Sequence, residues 1–251
     1  MSAPLVCFTV DYEPDCPPYR SDTHRGVEDG TGPLLDVLRE AGVPATFFST
    51  GEVAERYPDA VRAVVGAGHE LGCHGHTHRR FADLTRDEAR GELAASSAVL
   101  RRFAPVDAFR APNLVFPDAY LPLLEEAGYA LDSSHAKYKA PYWRDRRRPA
   151  PTRLTRIPAS TTSSVLRLPR AVREAWLARL ASPVVLFVHP WEFVDWRGTD
   201  LRLDCRFATG APALACAREV LAFFARRGAR FFTMREAARL ARARAAARDA
   251  A

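Results

Sequence analysis

Short apolar runs alternate with amphipathic stretches along nearly the whole chain. Residues 4–11, PLVCFTVD, carry the β-branched and aromatic content of a strand, and residues 30–42, GTGPLLDVLREAG, predict a helix ending at Gly42. VPATFFST (43–50) predicts the next strand, and residues 51–68 predict helical turns with Pro58 at a first helical position. HELGCH (69–74) reads as a short strand running into a turn. In residues 84–103, Thr85 and Glu88 have the spacing of a capping box at a helix start. VDAFRAP (106–112), PDAYLPLLEEAG (117–128) and YALDSS (129–134) continue as strand, helix and strand. The pattern weakens between about residues 136 and 158, which reads as an irregular excursion covering a pocket. It recovers with a helix over 168–180, a fully buried strand PVVLFVHP (183–190), a helix over 213–228, a strand ARFFTM (229–234) and a terminal helix. No linker breaks the series, so residues 1–251 are expected to form one domain. Repeated β-α units favour a parallel sheet, barrel or open, whose strand C-terminal ends carry function.

Composition narrows this little. The chain is 47% hydrophobic and 26% charged, ordinary for a folded protein, with a net charge of +6. Lys137 and Lys139 are the only lysines, so the other 34 basic residues are arginines, mixed with acids along the chain. Without a basic stripe interleaved with aromatics, no nucleic-acid partner is expected. Five cysteines with no CxxC suggest neither a zinc knuckle nor a disulfide framework. The start, MSAPLVCFTVDYE, shows no basic leader and no membrane span, so a cytoplasmic protein is expected.

The strand ends carry the chemistry. The first ends at Asp11, Tyr12 and Glu13; others end at the histidine cluster, at Arg110, at Asp132 and at His189, which follows five apolar residues directly. Asp11 and Glu13, two apart, point the same way, and close carboxylates repel unless a cation and a proton-sharing partner separate their roles. Residues 68–79, GHELGCHGHTHR, hold four of the seven histidines. His69 and His74 are five apart across Gly72, so they do not form an HExxH pair on one helical face. His74 and His78 are four apart; one helical turn would aim both rings at a common ion, with nitrogens about 2.0–2.1 Å from zinc. His76 would then point away, and His69 would pack. Two imidazoles and one carboxylate leave coordination positions open for water and a substrate carbonyl. With a carboxylate base and His189 as acid, these are the parts for metal-assisted amide hydrolysis.

In order along the chain, TVDYE (9–13), HGHTH (74–78), RAPN (110–113) and FVHPWEF (187–193) resemble the motifs of the polysaccharide deacetylase family, the NodB-homology or carbohydrate esterase 4 group. The resemblance implies a distorted (β/α)7-type barrel in a single domain and one divalent metal ion, usually Zn2+. It implies removal of acetyl groups from a saccharide or glycoconjugate, here an N-acetylated amino sugar. By position it makes Asp11 the base, Arg110 the partner that keeps it ionised, and His74 and His78 metal ligands. The Asn113 N–H becomes an oxyanion donor, His189 the acid, and Asp132 a residue that tunes His189. Tyr12 stands where the common motif has a second aspartate, which makes Glu13 the carboxylate ligand, although Asp11 and Glu13 could exchange roles. Tyr12 and Trp191 are candidates for contact with the sugar, and Trp191 could equally be core. A cyclic-imide hydrolase with the same site and a non-catalytic carbohydrate-binding relative are the competing expectations.

Overall fold

A computed structural model describes residues 3–20, 22–147 and 149–249. Met1 and Ser2 of the N-terminal stretch and Arg148 of the expected excursion lie outside these. The sheet is built from β1 (Leu5–Tyr12), β2 (Ala45–Ser49), β3 (Glu70–Cys73), β4 (Ala108–Phe109), β5 (Leu131–Asp132), β6 (Thr155–Arg156), β7 (Val184–Val188) and β8 (Arg230–Phe231). Its order is β6-β5-β4-β3-β2-β1-β7, every pair parallel, with β8 beside the start of β1. The sheet curls. Just past β6, Ser160 N–H donates to Val185 O (2.8 Å), while Val185 N–H donates to Ser160 Oγ (2.9 Å), tying the two edges together. This is the expected distorted barrel.

Alternation along β1 decides what reaches its inside. Val6, Phe8, Val10 and Tyr12 pack outward into the main core beneath the helices. Cys7 faces the interior with Phe48, Ala108, Leu131 and Val185, where Met234, from the terminal helix Met234–Asp249, plugs the far end. Each fully buried Val or Phe contributes about 1.5–3 kcal/mol, enough to hold a polar strand end in place.

The helix Arg86–Leu100 starts as expected: Thr85 Oγ1 accepts from Glu88 N–H and the Glu88 carboxylate accepts from Thr85 N–H. Thr85→Ala is expected to cost about 1 kcal/mol, lowering Tm by about 2–4 °C in a thermal melt; no change would mean the cap contributes nothing.

Two expectations are corrected. Residues 136–158 are not irregular throughout, since they contain the helix Ala140–Arg147 and the edge strand β6. That strand has only two residues, too few for a hydrophobic period, and Arg156 on it is held by Asp118 and Asp132 (both 3.0 Å). In addition, Cys16 and Cys205, 189 residues apart, form a disulfide, which no local spacing could reveal. Alkylation in denaturant without reductant should therefore label Cys7, Cys73 and Cys216 alone; five labelled cysteines would refute the bond. Such links persist in oxidising compartments and are rare in the cytosol. Among the described residues no helix is long and apolar enough to cross a membrane.

Candidate active site

The C-terminal ends of β1, β3, β4 and β7 converge on a cavity of about 430 Å³ lined by Asp11, Glu13, His78, Asn113, His189 and Trp191, among others. Asp11 stands on the inward side of β1. Arg110, with no exposed surface, donates to Asp11 Oδ1 (2.6 Å), Thr9 Oγ1 (2.7 Å) and Ser133 Oγ (3.0 Å), with its guanidinium 4.3 Å from the Phe48 ring. The predicted pairing of Arg110 with Asp11 is thus present. Tyr12, expected at the substrate, is not there. The strand's alternation turns it outward against Phe47, its hydroxyl 2.9 Å from Thr31 Oγ1, and burial pushes its pKa up to about 12.

Glu13, His74 and His78 bring their ligand atoms within 4.8 Å of one another. His74 Nδ1 lies 2.8 Å from Arg110 O, an acceptor only, so this nitrogen carries the proton and Nε2 a lone pair. That lone pair faces Glu13 Oε2 at 3.2 Å. His78 Nε2 is 2.7 Å from the same oxygen yet makes no hydrogen bond there. Acceptors crowded this way repel unless a cation lies among them, so the donor set fits a single metal ion.

The loop that does this is not the expected helical turn. Residues 74–80 are irregular, with Gly75 (φ 81°) and His78 (φ 58°) left-handed. Buried Glu92 takes the place of helical hydrogen bonds, accepting from His76 N–H, Thr77 N–H and Thr77 Oγ1 at 2.6–3.0 Å. His76 lies outside the trio. His69, at the other end of β3, accepts from Ala45 N–H and packs on Phe47.

His189 faces the other oxygen of Glu13, with Nε2 3.7 Å from Oε1. Trp191 is stacked on it (4.9 Å, 18°) and is buried, its Nε1 3.4 Å from Glu13 Oε1. It lines the cavity as part of the wall. Asp132 does not tune His189: its oxygens accept from Ser134 N–H (2.9 Å) and Arg156 Nε (3.0 Å). Glu192 holds the ring instead, with Oε1 2.7 Å from His189 Nδ1 and Oε2 2.8 Å from Arg167 Nε. Arg167 also donates to the carbonyls of Asp204 and Phe207. Burial opposes a charge on His189, yet Glu13, Glu192 and Asp11 prevail and push its pKa up to about 9. Sequence reasoning missed Glu192, although its three-residue spacing from His189 was in the quoted motif. Arg167 left no signal at all. Gly26 is required beneath this turn, because a Cβ there would stand 2.3 Å from Trp191 N. Asn113 reaches the cavity in a left-handed conformation (φ 58°), its carbonyl accepting from Lys139 Nζ.

The sequence profile of the family described as polysaccharide deacetylase matches residues 1–131. A peptidoglycan-N-acetylglucosamine deacetylase of Bacillus cereus is 36% identical over 74 residues, 30% of this chain and 27% of that protein. The chain's matches span only about a quarter to a half of its first curated relatives. A family 4 carbohydrate esterase from Streptomyces lividans has a similar structure (TM-score 0.62, 19% identity, covering 92% and 93% of the two chains). So does a pseudoenzyme of that esterase family from Bacillus anthracis (TM-score 0.62, 16% identity, covering 94% and 65%). A fold shared with a pseudoenzyme makes the residues, not the fold, the argument for catalysis.

Proposed function

We propose that this chain, which belongs to the polysaccharide deacetylase family, hydrolyses the N-acetyl group of an amino sugar at the cavity described above. The single observation that carries the reading is the convergence of Glu13, His74 and His78 beside an arginine-paired carboxylate and a carboxylate-held histidine. Glu13, His74 and His78 would hold the metal, and zinc suits two imidazoles and a carboxylate. When bound, such an ion supplies Lewis-acid polarisation of the acetyl carbonyl and lowers the pKa of water. Asp11, paired with Arg110 at 2.6 Å, takes the proton from the attacking water. The Asn113 N–H donates to the developing oxyanion. His189 gives a proton from Nε2 to the leaving amine, while Glu192 grips Nδ1 and so fixes which nitrogen faces the site. Trp191 stacks on that ring and keeps water from its face.

Metal content and acetate release from N-acetylglucosamine, chitooligosaccharides and peptidoglycan fragments test the reading together. A bound divalent ion with acetate from at least one sugar is the expected result. Bound metal with no acetate from any of them would favour a cyclic imide or another amide, and failure to take up zinc would sink the metal centre. Glu192→Gln is expected to slow amide cleavage by at least about tenfold, as loss of an aligned general acid does, while sparing an activated acetyl ester whose leaving group needs no proton. Equal losses on both substrates would remove Glu192 from this role.

A further inference from the structure

Among the described residues, two of the exposed large hydrophobic side chains, Tyr19 and Tyr138, line the cavity that holds the catalytic groups, and the others lie on segments tied to lining residues or their neighbours. On one side are Tyr19, Leu203 and Phe207: Tyr19 lines the cavity and accepts from Arg202, Leu203 adjoins the lining residue Asp204, and the Phe207 carbonyl is held by Arg167. On the other side are Tyr138, Trp143, Val172 and Trp176, 38–55% exposed. Trp143 Nε1 donates to Lys137 O (2.9 Å), Lys137 Nζ reaches Ser160 Oγ (3.4 Å), and Trp176 Nε1 donates to Thr161 Oγ1 (3.0 Å). These contacts tie the helices Ala140–Arg147 and Arg170–Leu177 to Lys137 and Thr161, the sequence neighbours of the lining residues Tyr138 and Thr162. Val172 and Trp176, four apart, share the outer face of the second helix.

This stretch of the chain is basic: residues 136–183 contain twelve Lys and Arg against two Asp and Glu, a balance of +10; with +6 for the whole chain, the rest is −4. The arginines are therefore not evenly spread. Arg156, Arg167 and Arg173 are paired with Asp132, Glu192 and Glu219, while Arg146, Arg147, Arg153, Arg170 and Arg179 are exposed. Of these, Arg146, Arg147, Arg170 and Arg179 lie beside the apolar groups, with the Arg146 guanidinium 5.7 Å from the Trp143 ring. Exposed apolar groups gathered in one place mark an interaction surface. Tryptophan and tyrosine amid basic residues suit the boundary between lipid headgroups and acyl chains. Aliphatic Val172 and Leu203 separate this from a sugar-stacking or nucleic-acid platform, where aromatic faces supply the contact.

We propose that the surface carrying Tyr138, Trp143, Val172 and Trp176 with the exposed Arg146, Arg147, Arg170 and Arg179 docks on an anionic lipid surface, with the cavity mouth opening toward it. The docking itself does not depend on the deacetylase reading. Only its corollary does: the sugar that enters is one presented at a lipid surface.

The test is co-sedimentation of the full chain with vesicles of phosphatidylcholine, alone or with roughly one third phosphatidylglycerol. Binding is expected to the anionic vesicles and not to the neutral ones. Trp143→Ser with Val172→Ser removes two side chains that are 54% and 55% exposed, so folding should survive, as an unchanged Tm and metal content would verify. That pair should weaken partitioning about tenfold. Arg147→Gln and Arg179→Gln should each weaken it roughly fivefold. The proposal fails if neither vesicle is bound, or if the anionic vesicles bind the apolar double variant as well as wild type. Retention on polyglutamate or single-stranded DNA without vesicle binding would likewise overturn it in favour of an anionic polymer. A dimer that the double variant converts to monomer, again without vesicle binding, would make this surface a contact between copies of this chain. Acetate release is measured separately, so loss of the deacetylase reading leaves the docking result standing.

Discussion

A His74→Ala chain is expected to purify without a metal ion, whereas His76→Ala retains the wild-type stoichiometry. His74 is buried, its Nδ1 fixed by Arg110 O and its Nε2 presented to the trio. Its loss leaves Glu13 and His78, two ligands where a catalytic zinc site uses three. His76 contributes no ligand to the trio, and its ring lies against Gly51. Elemental analysis of the two variants decides the matter, and equal loss of metal in both would refute the ligand assignment. Melting curves give a second readout. An ion at 100 times its Kd stabilises the wild type by about 2.7 kcal/mol, a Tm rise of roughly 5–11 °C for a chain of this size. His76→Ala should show that rise on adding zinc and His74→Ala should not.

Arg110 and Asp11 are expected to separate stability from chemistry. Arg110→Leu leaves Asp11 buried without the counter-ion that the Phe48 and Phe187 rings flank. Breaking a buried pair this way costs about 3–5 kcal/mol, which lowers Tm by roughly 6–20 °C. Asp11→Asn keeps the shape, removes the carboxylate proposed as base and leaves the metal trio intact. Its kcat should fall by about 10²–10⁴ with metal content unchanged. If Asp11→Asn strips the metal instead, Asp11 is the carboxylate ligand and Glu13 the base. A small Tm change in Arg110→Leu would mean that the ion pair is not buried as described.

Much of the fold could be read from the chain because its signals are local. The run PLVCFTVD, the Thr85–Glu88 cap and the five apolar residues before His189 each announce an element within a few positions. The reading of seven strands missed β6, and the helical turn expected after β3 is a loop. β6 is two residues long, and the loop bends through the left-handed Gly75 and His78. Tyr12 shows a different failure. Its neighbours Asp11 and Glu13 signalled chemistry, but which side of a strand faces a curled sheet's interior depends on where the helices pack.

The succession of strands and helices along the chain, the shared direction of Asp11 and Glu13, and the His74–His78 pair were determined by the sequence itself, through hydrophobic period and spacing. Tertiary structure alone decided who holds whom. Glu92 reaches the histidine loop from 16 residues on, and Cys205 meets Cys16 across 189. Arg167 backs Glu192, while Arg156 takes the Asp132 that the motif had assigned to His189. Such partnerships are selected by distance in the folded chain and by the cost of leaving a buried charge unpaired, and neither quantity leaves a periodic mark along a sequence.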